Sequence, residues 1–274
     1  MFTAAALAGL FTASALPAQE SGGLPATKAP PSLPETLAPP AAQAPAQPAP
    51  ASHPVNDYWK KHDAQLLVDF GGLANFREAD QALAPPAKSE NRVVFMGDSI
   101  TEAWHFEGAQ GYFPGKPYIN RGISGQTTPQ MLVRFRQDVI ALKPMVVVIL
   151  AGINDIAANT GPETPEQIED NLASMADLAE ANHIRVVLCS VLPAFDFPWM
   201  PGMTPAGKVV ALNAWIKAYA ARKGYVYVDF HSAMKDDRDG LPPTLSKDGV
   251  HPLPAGYAIM TPLVEAGIAK ALKR

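Results

Sequence analysis

Residues in four stretches of this chain have types and spacing that suit one reaction. The stretch VVFMGDSITEAW (93–104) runs four apolar residues into Gly97, Asp98 and Ser99, then into a polar, helix-compatible segment. A serine hydroxyl offered after a buried strand is a weak nucleophile and needs a base to take its proton. His251, in SKDGVHPLPAGY, supplies a base, and Asp248 can fix its imidazole tautomer if that segment forms a turn. Attack on an ester carbonyl creates an oxyanion, which preorganised N–H donors stabilise. Ser99 offers its own backbone N–H at a helix N-terminus. Gly125, in NRGISGQTT, offers one with no side chain in the way, and Asn154, in AGINDIA, offers a side-chain amide. The reaction such a set suits is acyl transfer.

Each residue also has an ordinary reading. Asp98 and Ser99 are common turn and cap residues, Gly122 and Gly125 common turn glycines, and Asn154-Asp155 a common cap. Asp248 could close a turn with Gly249, and His251 before Pro252 could be a surface residue. Four such stretches in this order make coincidence a poor account. Among the other histidines, His53 falls in a proline-rich tether and His62 in a helical lead-in. His183 precedes the fourth strand, at the wrong end of the sheet, and His105 points mostly away from Ser99 on a helix. His231, two residues after Asp229, is the serious rival to His251.

The elements that must position these residues follow from the apolar pattern. Short β-rich runs occur at 92–97, 118–123, 145–151, 184–191 and 225–229, with helical patterns between them. Thr128 reads as an N-cap with Pro129 at the first helical position. Thr164-Pro165 and Thr204-Pro205 repeat that arrangement, and 252–274 closes the chain as a helix. Strands apolar throughout and separated by helices predict a parallel sheet covered on both faces. Ligands in such sheets bind beyond the C-terminal strand ends, near the switch point. Every candidate above lies at such an end. The segment 55–83 reads as a helical lead-in broken at Gly71-Gly72 and packed by Trp59, Leu66, Phe70 and Phe76.

Composition narrows the function class. The 274 residues carry a net charge of −4, so there is no broad basic surface for nucleic acid. Hydrophobic content of 47% is enough for a sizeable core. The single cysteine, Cys189, rules out an internal disulfide and reads as a buried inert thiol. No Cys/His cluster has metal-ligand spacing. Ten prolines between Pro25 and Pro54, interleaved with alanine, make residues 19–54 a disordered or polyproline-like linker. Residues 2–16 are apolar and too few to span a bilayer comfortably. With ALPAQE after them, residues 1–18 read as a signal peptide cleaved after Ala18 or Ala15, hence a secreted or periplasmic protein. A basic n-region is missing, the first Lys or Arg being Lys28, which leaves open a true start upstream.

Gly97-Asp98-Ser99, Gly125 in ISGQTT, Asn154 in GIND and Asp248-x-x-His251 resemble the four blocks of the SGNH, or GDSL, hydrolase family. The resemblance covers roughly residues 92–272 and is most specific in DGVHPLPAGY. It departs at Ile100, where the GDSL name has leucine. It implies a flavodoxin-like three-layer α/β/α fold with a five-stranded parallel sheet, and serine ester hydrolysis with no metal and no cofactor. It also implies an oxyanion hole of Ser99, Gly125 and Asn154, completed by a triad of Ser99, His251 and Asp248. The G-x-S-x-G elbow of the α/β-hydrolases is absent.

Two aromatic loops bear on the substrate, at 104–118 and 193–205. Trp104, Phe106, Phe195, Phe197 and Trp199 could wall an acyl pocket or stack on sugar rings, or pack on the core. Trp104, Phe195 and Trp199 are the expected substrate-binding residues. Without a long hydrophobic lid, the expected substrates are short acyl esters or O-acetylated sugars. A lysophospholipase or thioesterase is the alternative, and a non-catalytic carbohydrate-binding module the alternative from another class. The oligomeric state is not legible.

Overall fold

The five apolar runs become five parallel strands ordered β2-β1-β3-β4-β5: β1 (Val93–Gly97), β2 (Tyr118–Gly122), β3 (Val146–Leu150), β4 (Arg185–Cys189) and β5 (Val226–Val228). The structure is a computed structural model that describes residues 56–104 and 112–274. The signal-peptide and linker readings of 1–54, and His105 and Phe106, lie outside the described residues. Every residue of β1 and β3 is buried, whereas the edge strand β2 is partly exposed. That difference is why the central strands read as unbroken Val/Ile/Leu runs.

The lead-in forms α1 (Asp57–Val68) and α2 (Arg77–Ala82). Then follow α3 (Ser99–Trp104), α4 (Thr128–Asp138), α5 (Ile153–Ile156), α6 (Pro165–Ala181), α7 (Ala206–Lys223), α8 (Phe230–Met234) and α9 (Pro254–Leu272). Helices α4, α6 and α7 pack on one face of the sheet. Helices α3, α8 and α9 cover the other, tied together where Tyr257 Oη donates to the Ile100 carbonyl at 2.8 Å. This is the expected three-layer α/β/α arrangement with flavodoxin-like strand order. The chain reverses direction across the sheet between β2 and β3, so β1 ends at the switch point.

Two expected helix starts need correction. Thr127, not Thr128, caps α4, in a capping box with Gln130. The Thr128 hydroxyl and N–H instead donate to Asp155 Oδ1, at 2.5 and 2.8 Å. Pro205 is itself the cap of α7, because Thr204 turns into left-handed backbone (φ 45°). Thr164 caps α6 with Pro165 first in the helix, as the sequence predicts.

The lead-in docks through both its backbone and its side chains, with Asp80 of α2 paired to Arg121. Gln126, Gln130 and Gln137 donate side-chain N–H groups to the carbonyls of Gly71, Phe70 and Leu73, at 2.7–2.9 Å. Trp59 is buried and the Phe76 ring lies under the Arg121 guanidinium. The Phe70 ring, expected to pack, is exposed, since only its carbonyl is used. Cys189 is buried, and burial pushes its thiol well above its ordinary value.

Candidate active site

Ser99 is the first residue of α3, two residues after β1 ends at Gly97. Its N–H therefore has no intrahelical acceptor and stays free to face a ligand. The turn is tight. A Cβ on Gly122 would collide with the backbone N of Glu102, so only glycine lets β2 lie this close to the start of α3.

Ser99 Oγ lies 2.9 Å from His251 Nε2, bridging 152 positions of sequence. The other ring nitrogen, Nδ1, lies 2.7 Å from Asp248 Oδ2. The turn postulated for 248–251 exists: Asp248 Oδ1 accepts from the backbone N–H of Val250 (3.0 Å) and of His251 (2.8 Å). Burial alone would raise the Asp248 carboxyl, but the His251 ring and these N–H groups hold it well below the usual range. His251 is raised above the ordinary imidazole value. Its bond with Asp248 outweighs the opposing effect of burial, and the Asp98 charge adds to it.

His231, the rival, sits elsewhere. It is buried in α8, its backbone N–H donates to Ser190 Oγ, and burial lowers its pKa. Asp229 is spent on capping that helix through Ser232. His183 stands in the turn before β4, at the opposite end of the sheet.

Gly125 and Asn154 meet above the strand ends. Gly125 adopts left-handed backbone (φ 78°), which suits glycine. Asn154 is buried, and its Nδ2 spends one hydrogen on the Gln126 carbonyl at 3.0 Å and keeps a second. Asn159, which the sequence reading missed, joins the two. Its Nδ2 donates to Asn154 Oδ1 at 3.0 Å and to the Gly125 carbonyl at 3.2 Å. The only sequence signal was a further polar residue in NDIAANT.

Three more buried groups pack around the site: Asp98 and Asp155, which in the sequence read only as turn and cap residues, and Arg134, which the sequence does not single out. Arg134 is wholly buried and donates to Gln126 Oε1 (2.6 Å), Asp138 Oδ2 (2.9 Å) and the Gly97 carbonyl (3.1 Å). It ties the strand before Ser99 to the loop of Gly125. Asp98 is buried with Oδ1 accepting from Ile100 N–H, and burial pushes its pKa up to about 7. Asp155, behind Asn154, is raised by burial, and burial and the Asp155 charge push Glu163 up to about 7.

The aromatic readings divide. Trp104 is not a pocket wall. It is buried among Phe95, Tyr112, Phe113, Phe230 and Tyr257, and its Nε1–H donates to Thr261 Oγ1 at 3.3 Å. Tyr112 and Phe113 pack into the same cluster, so these aromatics of the 104–118 loop turn into the core, while residues 114–117 are exposed. Phe197 is fully buried. Phe195 is exposed and lies under the Arg238 guanidinium. Trp199 stacks on Phe197, and its ring centroid stands 6.3 Å from that of His251. Its buried Nε1–H has no acceptor among the described residues.

Among the described residues no group of three or more His, Cys, Asp or Glu could hold a metal ion. No helix among them is long and apolar enough to cross a membrane.

Residues 95–259 match the GDSL-like Lipase/Acylhydrolase family. The chain is 46% identical to a GDSL-like lipase from Bacteroides thetaiotaomicron, whose crystal structure superposes with a TM-score of 0.72 over 74% of this chain and 99% of that one. It is 25% identical to an acetylxylan esterase of Xylanibacter ruminicola over 77% of its own length, and spans about half (48%) of that protein. An acetylxylan esterase of Geobacillus stearothermophilus is 27% identical, over 63% of this chain and 91% of that protein. With the switch-point serine, the strand order and the family match in agreement, the chain belongs to the GDSL-like lipase/acylhydrolase family, the carboxylic ester hydrolases of SGNH type.

Proposed function

We propose that this protein is a serine esterase that removes short acyl groups, foremost O-acetyl groups on sugars, through an acyl-enzyme. One observation carries the catalytic reading: the unbroken run of bonds from Ser99 Oγ through His251 to Asp248. Ser99 Oγ attacks the ester carbonyl carbon while His251 Nε2 takes its proton. Asp248 holds Nδ1–H and stabilises the imidazolium. The N–H groups of Ser99 and Gly125 and the remaining Asn154 Nδ2–H stabilise the oxyanion. Collapse breaks the bond to the alcohol, which leaves with the proton from His251. Water then repeats the sequence on the acyl-enzyme, releasing the acid and restoring Ser99.

The acetyl-sugar reading draws on the acetylxylan esterases among the relatives and on Trp199 beside His251, a wall suited to a small acyl group. Phe195 is the further aromatic of that loop. The apolar segment 2–16 followed by ALPAQE supports export to the periplasm or beyond. The test is hydrolysis of p-nitrophenyl esters from acetate to palmitate beside acetylated xylan and lysophosphatidylcholine. Preference for acetate and acetylated xylan supports the reading. Preference for palmitate or lysophosphatidylcholine makes the protein a lysophospholipase instead.

A further inference from the structure

Helix α1 lies outside the residues that match the family, yet it reaches the active end of the sheet. A Cβ built on Gly125 would stand 3.6 Å from Tyr58 Oη and 3.8 Å from His62 Nε2. Between α1 and the Gly125 loop runs an open groove of about 510 Å³, lined by Tyr58, His62, Gln65, Asn75, Ser124 and Gly125 among others. We propose that this groove binds the sugar of the ester's alcohol half, with Tyr58 and His62 as its recognition face. The inference rests on the oxyanion hole proposed above, because a carbonyl held at Gly125 N–H brings the rest of the ester to the groove.

The lining selects the occupant. The Tyr58 and His62 rings stack at 6.4 Å with planes 20° apart; Tyr58 is 56% exposed and the His62 side chain 13%, so Tyr58 offers the open ring surface and His62 an edge beside it. Such a surface suits the C–H face of a pyranose. His62 Nδ1 faces Asp63 Oδ1 at 3.3 Å, and with the proton there Nε2 is an acceptor for a hydroxyl. The side chains of Gln65 and Asn75 add donors and acceptors. Lys61, Asp69 and Glu102 on the rim mix both signs of charge, so there is no single-sign field for a phosphate head group. Leu66, Phe70 and Ile123 give the groove apolar surface that suits the C–H groups of a sugar ring, and the polar side chains among them set it apart from a purely apolar channel for an alkyl chain. The platform is also held in place: Trp59 beside Tyr58 is buried, and Gln126, next to Gly125, anchors the lead-in at Gly71.

The experiment measures kcat/KM for O-acetylated xylotriose and for p-nitrophenyl acetate, and compares their ratio between variants. In Tyr58→Ala/His62→Ala the ratio should fall by about tenfold, carried by KM for the oligosaccharide. Tyr58→Phe keeps the stacking face and should hold the ratio within about twofold. Leu67→Ala, on the solvent side of the same helix, should leave it unchanged. An unchanged ratio in the double variant, or an equal fall in Leu67→Ala, overturns the groove assignment while the esterase reading stands. A wild-type enzyme that cleaves p-nitrophenyl acetate but not the acetylated oligosaccharide overturns the sugar as occupant. Activity on neither substrate overturns the esterase reading itself.

Discussion

A single amide, that of Asn159, holds Asn154 by its Oδ1 and Gly125 by its carbonyl, at 3.0 and 3.2 Å. Because Oδ1 is engaged, Asn154 cannot flip its amide without losing a buried hydrogen bond. Its Nδ2 is thereby committed to the side where the oxyanion would form. Asn159 touches no reacting atom, and we assign it a positioning role. Asn154→Ala should lower kcat by roughly 10²–10³ with little change in KM. Asn159→Ala should lower kcat by about ten- to a hundredfold through misplaced donors. If Asn159 acts through Asn154, the double variant should cost little more than Asn154→Ala alone. Additive losses in kcat would contradict that coupling.

The pH dependence of kcat/KM follows from the groups around His251. The base must be neutral, so activity rises with pH and is lost as His251 takes a proton on the acid side. The Asp248 bond and then the Asp98 charge raise its pKa, which puts the acid limb above the ordinary imidazole value of about 6.5. Burial pushes Asp98 itself up to about 7, so the charge it lends to the imidazolium also depends on pH. Asp98→Asn removes a negative charge that favours the imidazolium and keeps an acceptor for Ile100 N–H. The acid limb should therefore move to lower pH. A limb that stays in place, measured with p-nitrophenyl acetate, would mean that Asp98 does not influence the base.

Much of the scaffold was legible in the sequence. All five strands lie within the runs at 92–97, 118–123, 145–151, 184–191 and 225–229, because strands buried on both faces allow few polar residues. That Ser99, Gly125, Asn154, Asp248 and His251 would gather at one end of the sheet was legible because the switch-point rule says where strand ends meet. Trp104 was misread for a different reason. An aromatic after a helix gives no sign of which way its ring turns, and its direction is set by Phe95, Phe230 and Tyr257 from three other elements. The Thr127-Thr128 cap was off by one residue, although Gln130 three positions after Thr127 marks the box. His62 was set aside as a lead-in residue, since nothing local shows that α1 folds back over Gly125.

The Asp155–Glu163 pair predicts a stability change with pH. Burial, then the Asp155 charge, raises Glu163 to about 7 in the folded protein, against an ordinary value of 4.5. The folded state then holds a proton that the unfolded chain has released. Stability present below about pH 4.5 should be lost progressively as pH rises to about 7, with little further change from this group above that. Glu163→Gln removes the titration and can donate to Asp155. Its Tm should exceed that of the wild type by a few degrees at pH 8 and approach it at pH 5. Equal Tm differences at both pH values would contradict the raised Glu163 carboxyl.

Trp199 offers a test of the acyl side. Its ring faces His251, and Trp199→Ala should open the wall there, lowering kcat/KM for the acetyl ester by about tenfold. The butyryl ester should lose less than the acetyl ester. Equal losses on both esters would assign the ring to packing of the loop rather than to the acyl group.

The central claim is that Ser99 is the nucleophile, and a fluorophosphonate reads it directly by forming a stable bond to the attacking oxygen. Peptide mapping of the labelled protein by mass spectrometry should find one adduct, on Ser99. Ser99→Ala should remain folded and take up no label, and His251→Ala should label far more slowly because the hydroxyl has lost its base. An adduct on any other serine, or labelling that persists in Ser99→Ala, would contradict the account.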